Sequence, residues 1–314
     1  MSRRGVIDQK PMRRRPPTRS PALKALLCLV SALLLPLPVT QAQGKFKVMV
    51  TILPLYYLAV NVAGDQADVE LLLPSHVDPH NFAATPRDLR RLSQSRLLFV
   101  NGLGLEGWLT GLLQNAGLSP DQLVDTSLGV ESLKKGSTPG RGPEGQDPHI
   151  WLDPLRALHQ ADNIREALSR ADPGGRAAYQ ANYESYAQRL RLLDAEIRDS
   201  LEKVKTRLYV TFHDAFIYFS DRYNLNLLGA IEEVAGQDPA PRHLARLSDL
   251  VQTHGVRAIF SQVKPVPRVV RSFANDLDLQ VHTLDPMETG PLHPEGYERI
   301  MRTNLRVIAE ALNL

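Results

Sequence analysis

Apolar residues in the first half of the chain fall into short runs separated by polar stretches. Lys47–Leu53 (KVMVTIL) is apolar at nearly every position and reads as a buried strand, Tyr56–Val62 reads as a helix, and Val69–Leu73 reads as a second strand. Strand, helix, strand in that order predicts a parallel sheet. Thr85-Pro86-Arg87-Asp88 supplies an N-cap, a proline for the first helical position and an acid for the first turn, so a helix is expected there, leading to a strand at Leu97–Val100. Asp153-Pro154 repeats the device ahead of a helix over Leu155–Ser169, which Pro173-Gly174-Gly175 ends.

The clearest periodicity follows. Tyr179, Tyr183, Tyr186, Leu190, Leu193, Ile197, Leu201 and Val204 recur at steps of four and three, which predicts one long amphipathic helix. At ~1.5 Å per residue it reaches about 40 Å, enough to run along both halves of the molecule. Beyond it the alternation resumes: strand Leu208–Phe212, helix His243–His254, strand Ala258–Ser261, strand Leu279–Leu284 and a closing helix Glu295–Leu312. The economical architecture is α/β, two lobes each with a small, mostly parallel sheet flanked by helices, joined by the long helix. Glu131–Gln146, rich in Gly, Pro, Ser and Lys, reads as an exposed loop.

The N-terminus has a different character. Arg13, Arg14, Arg15, Arg19 and Lys24 precede an apolar run from Ala25 to Val39, and Thr40-Gln41-Ala42 follows as a small-residue exit. The run is shorter than the ~20 residues a membrane span needs and contains Ser31, Pro36 and Pro38, so it reads as a signal peptide cleaved after Ala42. The expected division is residues 1–42 as leader, 43–172 as the first lobe, 173–206 as the connecting helix and 207–314 as the second lobe. The single cysteine, Cys28, lies inside the apolar run after Leu26-Leu27, without the small residue that lipoprotein processing requires.

Removing the leader takes eight basic residues and one acidic residue, so the net charge turns from +3 to −4. The remaining 272 residues give no basic signal for nucleic acid or an anionic membrane, hold no cysteine, and are long enough for two ordinary cores. The expected compartment is the periplasm.

In open α/β sheets functional groups gather past the carboxyl ends of strands. Four polar residues occupy such positions. His80 follows the second strand in His76-Val77-Asp78-Pro79-His80, and His149 sits in Asp147-Pro148-His149-Ile150-Trp151-Leu152-Asp153-Pro154. His213 follows Tyr209-Val210-Thr211-Phe212, and Asp285 follows Val281-His282-Thr283-Leu284. Two lie in each half, so a cleft between lobes brings together three imidazoles and a carboxylate, a complete tetrahedral set for Zn²⁺. The proline before His80 and before His149 fixes the local backbone and lowers the entropy lost on binding. His159, His243, His254, His282 and His293 read as structural or surface histidines, and His76 as a neighbour of the site or a surface residue.

The strings PHNF, NGLGLEGWL, DPHIWLDP, TFHDAFIYFSDRY and LDP followed by GYERIMRTNLRVIAEAL together resemble the zinc/manganese solute-binding proteins of bacterial ABC importers. The resemblance spans nearly the whole exported chain. It implies two four-stranded lobes on a rigid long helix, with the ion between them on His80, His149, His213 and Asp285. It also implies delivery to an inner-membrane ABC permease with a cytoplasmic ATPase, by a protein acting as a monomer. Histidine at 213 is similar to zinc-type members, whereas manganese-type members more often carry glutamate, so Zn²⁺ is the expected ion and Mn²⁺ the alternative. Two departures stand out: no histidine occurs in Leu133–Gly142, where zinc-type relatives often have a His-rich loop, and Gln262 stands where the family pattern has glutamate.

Gly102-Leu103-Gly104-Leu105-Glu106-Gly107 formally matches the dinucleotide fingerprint GxGxxG, but a tight strand-to-helix turn explains the glycines in an exported chain. A secreted zinc hydrolase, with Asp214, Glu232 or Glu233 as base, is disfavoured because four protein ligands close the shell and no HExxH pair is present. An adhesin on the same fold remains a third reading, since fold does not imply function.

Overall fold

The computed structural model describes residues 45–75, 77–80, 82–134, 145–232, 237–262 and 265–313. The leader at 1–42, His76, Glu233 and most of the 131–146 loop lie outside them.

Two four-stranded sheets are built the same way. The first contains β1 (Phe46–Val50), β2 (Ala67–Leu71), β3 (Leu97–Val100) and β4 (Leu123–Asp125) in the order β2-β1-β3-β4. The second contains β5 (Leu208–Thr211), β6 (Asn226–Ala230), β7 (Ala258–Ser261) and β8 (Gln280–Thr283) in the order β6-β5-β7-β8. Every pairing is parallel, with Val48 opposite both Val69 and Leu97, and Ile259 opposite both Val210 and Val281. In each sheet the strand order reverses beside the first strand, so the connections leaving it diverge and open a crevice at the carboxyl edge.

The helices are α1 (Leu53–Ala63), α2 (Pro86–Leu92), α3 (Leu109–Ala116) and α4 (Pro154–Ala171) in the first lobe, then the 26-residue α5 (Arg176–Leu201). The second lobe adds α6 (Ile217–Tyr223), α7 (Pro241–His254), α8 (Arg268–Asp276) and α9 (Gly296–Ala311). Caps behave as their residues dictate: Thr85 and Asp88 exchange side-chain and backbone hydrogen bonds, and Asp153 accepts from the Leu155 and Arg156 amides. The first strand stops at Val50, earlier than its apolar run suggests, because Pro54 sits at the start of α1 and pulls the helix forward to Leu53.

The expectation of two separate cores needs correcting. One apolar cluster runs from Val48, Val50 and Phe99 through Tyr186, Leu190 and Ile197 of α5 to Tyr209, Phe219 and Phe260 of the second lobe. A smaller cluster covers only the outer face of the second sheet, with Val210, Ile259, Leu247 and Phe273. Strand alternation explains the division: Tyr209 and Val210 point to opposite faces of β5, as do Phe260 and Ile259 of β7. The lobes therefore share a continuous interior along α5. Within it, buried Asp194 of α5 accepts both 2.7 Å hydrogen bonds of the Arg222 fork and one from the Tyr223 hydroxyl.

The glycine-rich turn after β3 is tight: Gly102 and Gly104 have φ of 83° and 79°, and a Cβ on Gly102 would lie 2.2 Å from Asp125 Oδ1. The buried Glu106 carboxylate accepts from the Asn101 amide (2.7 Å), the Gly102 amide (3.1 Å) and the Thr51 hydroxyl (2.7 Å). The amides a dinucleotide phosphate would need are thus already occupied by the chain's own acid.

Candidate metal centre

Three imidazoles converge at the carboxyl edges of the two sheets. The nitrogens that His80, His149 and His213 each offer lie within 4.8 Å of one another, and these are the residues that cluster in this way among the described residues. His149 Nε2 and His213 Nε2 are 3.4 Å apart. Ring centroids are separated by 5.2 Å for His149 and His213, 5.4 Å for His80 and His149, and 5.7 Å for His80 and His213. With Zn–N bonds of ~2.0–2.1 Å and a tetrahedral angle, two ligand nitrogens should be about 3.3 Å apart. The pair drawn from opposite lobes already has that separation.

Each ligand is set by its neighbours in sequence. In both Asp-Pro-His segments the carboxylate two residues before the histidine accepts its backbone N–H, at 2.8 Å for Asp78 and His80 and 2.9 Å for Asp147 and His149. Trp108 Nε1 donates to Pro79 O (2.9 Å) and packs edge-on against Phe82, which fixes the His80 loop. Asn101 donates to Pro148 O (2.9 Å). His213 is bracketed by one amide: Gln262 Oε1 accepts from its N–H (3.1 Å) and Gln262 Nε2 donates to its carbonyl (2.9 Å). A carboxylate at 262 would lack that second, donating contact.

Asp147 does more than cap. Its Oδ1 lies 2.9 Å from His149 Nδ1, so Nδ1–H donates to the carboxylate and Nε2 presents its lone pair to the centre. Burial alone would lower the His149 pKa, but the charge and hydrogen bond of Asp147, together with the charges of Asp214 and Glu288, outweigh it and hold the imidazole above its ordinary value. Burial would raise the Asp147 carboxyl, and the paired imidazole instead holds it below its usual range. Composition and strand position give this aspartate no role in the sequence. Its signal was the repeated spacing two residues ahead of each ligand.

Asp285 is placed differently from the expectation. Among the described residues its carboxylate is not part of the converging group. Its Oδ1 accepts from the amides of Met287 (2.9 Å), Glu288 (3.0 Å) and Thr289 (3.4 Å), and Oδ2 accepts from the Thr289 hydroxyl. An aspartate leading into a turn competes for local amides in this way. The loop it caps is nevertheless at the centre: Trp151, two residues after His149, donates to Pro286 O (2.9 Å). The adjacent Glu288 carboxyl is pushed up to about 7 by burial, against the lowering pull of His149 and with help from Asp78 and Asp285.

His243, His159 and His282 have structural surroundings, and His254 and His293 are exposed. His243 Nε2 is 2.7 Å from Ala230 O, His159 Nε2 is 3.1 Å from Leu128 O, and His282 packs against Phe260.

The family model for the periplasmic zinc-uptake complex component A matches residues 48–311. The chain is 26% identical over 281 residues to the high-affinity zinc uptake system protein ZnuA of Bacillus subtilis (strain 168), covering 85% of this chain and 88% of that protein. It is 30% identical over 276 residues to a putative metal-binding protein of Treponema pallidum (strain Nichols), covering 85% and 87%. A crystal structure of a ZnuA deletion mutant with zinc bound superposes with a TM-score of 0.76 at 28% identity, covering 86% of this chain and 99% of that one.

Proposed function

The chain belongs to the zinc-uptake complex component A family, and from that premise we propose that it captures one Zn²⁺ between its lobes outside the cytoplasm. It then hands the ion to an inner-membrane ABC permease driven by a cytoplasmic ATPase. The observation that carries this reading is the convergence of three buried or half-buried imidazoles from both lobes, with the His149–His213 pair at the spacing of a zinc tetrahedron. Imidazole-rich sites favour Zn²⁺, whereas Mn²⁺ prefers oxygen and sits low in the Irving–Williams order. Mn²⁺ is therefore the weaker alternative cargo.

On this reading residues 1–42 are removed on export, 43–172 and 207–314 are the lobes that hold the metal, and 173–206, which carries α5 at Arg176–Leu201, is the connection that keeps them in register. His80, His149 and His213 form the nitrogen core. Asp285 supplies the fourth ligand by turning one oxygen out of its cap, and solvent fills that position otherwise. Three histidines with an open fourth position also describe catalytic zinc sites, so the closed-shell argument against a hydrolase does not hold in this structure. Family membership, not ligand count, supports reading the site as one for transport.

The test is metal binding by the exported chain and its variants. His80→Ala and His149→Ala should each abolish tight Zn²⁺ binding while circular dichroism and cooperative melting persist. Retention of wild-type affinity in either variant would remove that residue from the site and sink the reading.

A further inference from the structure

Helix α6 belongs to the second lobe and begins four residues after His213, yet its Tyr218 reaches across to the first lobe. The fully buried Tyr218 hydroxyl donates to Asp147 O (2.7 Å) and accepts from the Leu133 amide (3.0 Å). These two residues form the neck of the 134–146 segment: the Asp147 amide donates to Leu133 O (2.9 Å), and Lys134 bridges to Gln146. Arg156 of the first lobe lies 4.9 Å from the Tyr218 ring centroid and reaches Glu131 O (2.9 Å) and Asp221 Oδ2 (3.4 Å). One hydroxyl thus fastens the helix that follows His213 to the residue that orients His149.

We infer that Tyr218 is a positioning residue for metal capture, a cross-lobe brace that holds the Asp147–His149 pair at its working distance from His213. The inference rests on the three-histidine reading. A general packing role would show in stability; a positioning role shows in how long the ion is held. Burial raises the pKa of the hydroxyl, so it stays protonated and keeps both hydrogen bonds throughout the neutral range. Without it, the Asp147 carbonyl and the Leu133 amide lose their shared partner, and the His149 segment is freer to move relative to β5.

The experiment compares Tyr218→Phe with Tyr223→Phe. Both delete a buried hydroxyl from the same helix, but Tyr223 donates to Asp194 on the long helix, not to the His149 segment. Zinc-loaded proteins are mixed with a chromophoric chelator and the release rate is read, and the metal-free proteins are melted in parallel. Tyr218→Phe should release zinc about tenfold faster, equivalent to about 1.4 kcal/mol, while Tyr223→Phe stays within about twofold of wild type. Arg156→Gln, at the more accessible end of the same brace, should accelerate release in the same direction and serves if the phenylalanine variant does not fold. Wild-type release from Tyr218→Phe, or equal acceleration in both tyrosine variants, overturns the inference. A wild-type chain that takes up no zinc overturns the reading of the site itself, and this inference with it.

Discussion

Asp147→Asn isolates what the charge behind His149 contributes. The carboxylate is fully buried and accepts both the His149 amide and its Nδ1–H at 2.9 Å. Asparagine keeps an oxygen for those donors but loses the charge that makes the imidazole a stronger ligand. It also buries an NH₂ where Oδ2 now makes no hydrogen bond. Such partners behind a metal-bound histidine are worth 10–100-fold in affinity, about 1.4–2.7 kcal/mol. The burial of an unsatisfied amide adds about 1–3 kcal/mol of destabilisation. The pH dependence carries the sharper signature. Asp147 raises the His149 pKa, so in the wild type protons compete with the metal from a higher pH; the variant imidazole, with its pKa lowered, escapes that competition until the solution is more acidic. The ratio of variant to wild-type dissociation constants should therefore be largest near pH 8 and shrink towards pH 6, measured by competition against a chelator of known affinity. Equal affinities at pH 8, or a ratio that grows on acidification, would refute the assigned role.

His213→Glu should weaken Zn²⁺ binding and narrow its advantage over Mn²⁺, because an oxygen replaces one of three nitrogens, while His213→Ala should weaken binding with less change in preference; paired titrations with both ions check this. Glu288, with its carboxyl raised to about 7, binds its proton more tightly folded than unfolded, so the metal-free protein loses stability as pH rises from about 4.5 through 7. Glu288→Gln should therefore melt like wild type near pH 4.5 and be more stable by about 1–3 kcal/mol at pH 8, with denaturant titrations at the two pH values as the measurement. The continuous interior along α5 and the Trp151 and Tyr297 hydrogen bonds between lobes predict only a small change of shape on metal binding. Solution scattering should give nearly equal radii of gyration with and without zinc, and a wide closure would contradict the shared core.

The parallel sheets and the long helix were legible because their signals are local. Apolar runs marked β1, β3 and β7, and a three-four rhythm of tyrosine and leucine marked α5. Short elements with neither an apolar run nor a capping signal were not. β4 has three residues and α6 has seven, too few for a period to declare itself, although α6 carries the brace between lobes. Strand ends are where such folds place chemistry, and His213 lies just past β5, whereas His80 and His149 sit in loops well beyond β2 and β4 and were marked by their Asp-Pro-His segments. Asp285 satisfied the same rule, but the turn after it offers three amides at short range and claims its carboxylate. The shared core was hidden for a related reason. Alternation says that Tyr209 and Val210 face opposite ways, but not that one side meets the connecting helix and the other only its own lobe.

Zinc K-edge X-ray absorption on the loaded, exported chain tests the central claim most directly. The account predicts one zinc per chain with three imidazole nitrogens at ~2.0–2.1 Å and a single oxygen, and the loss of one imidazole contribution in any protein that still binds after His213→Ala. A shell dominated by oxygen with one imidazole or none, or an unchanged spectrum in the His213 variant, would contradict it.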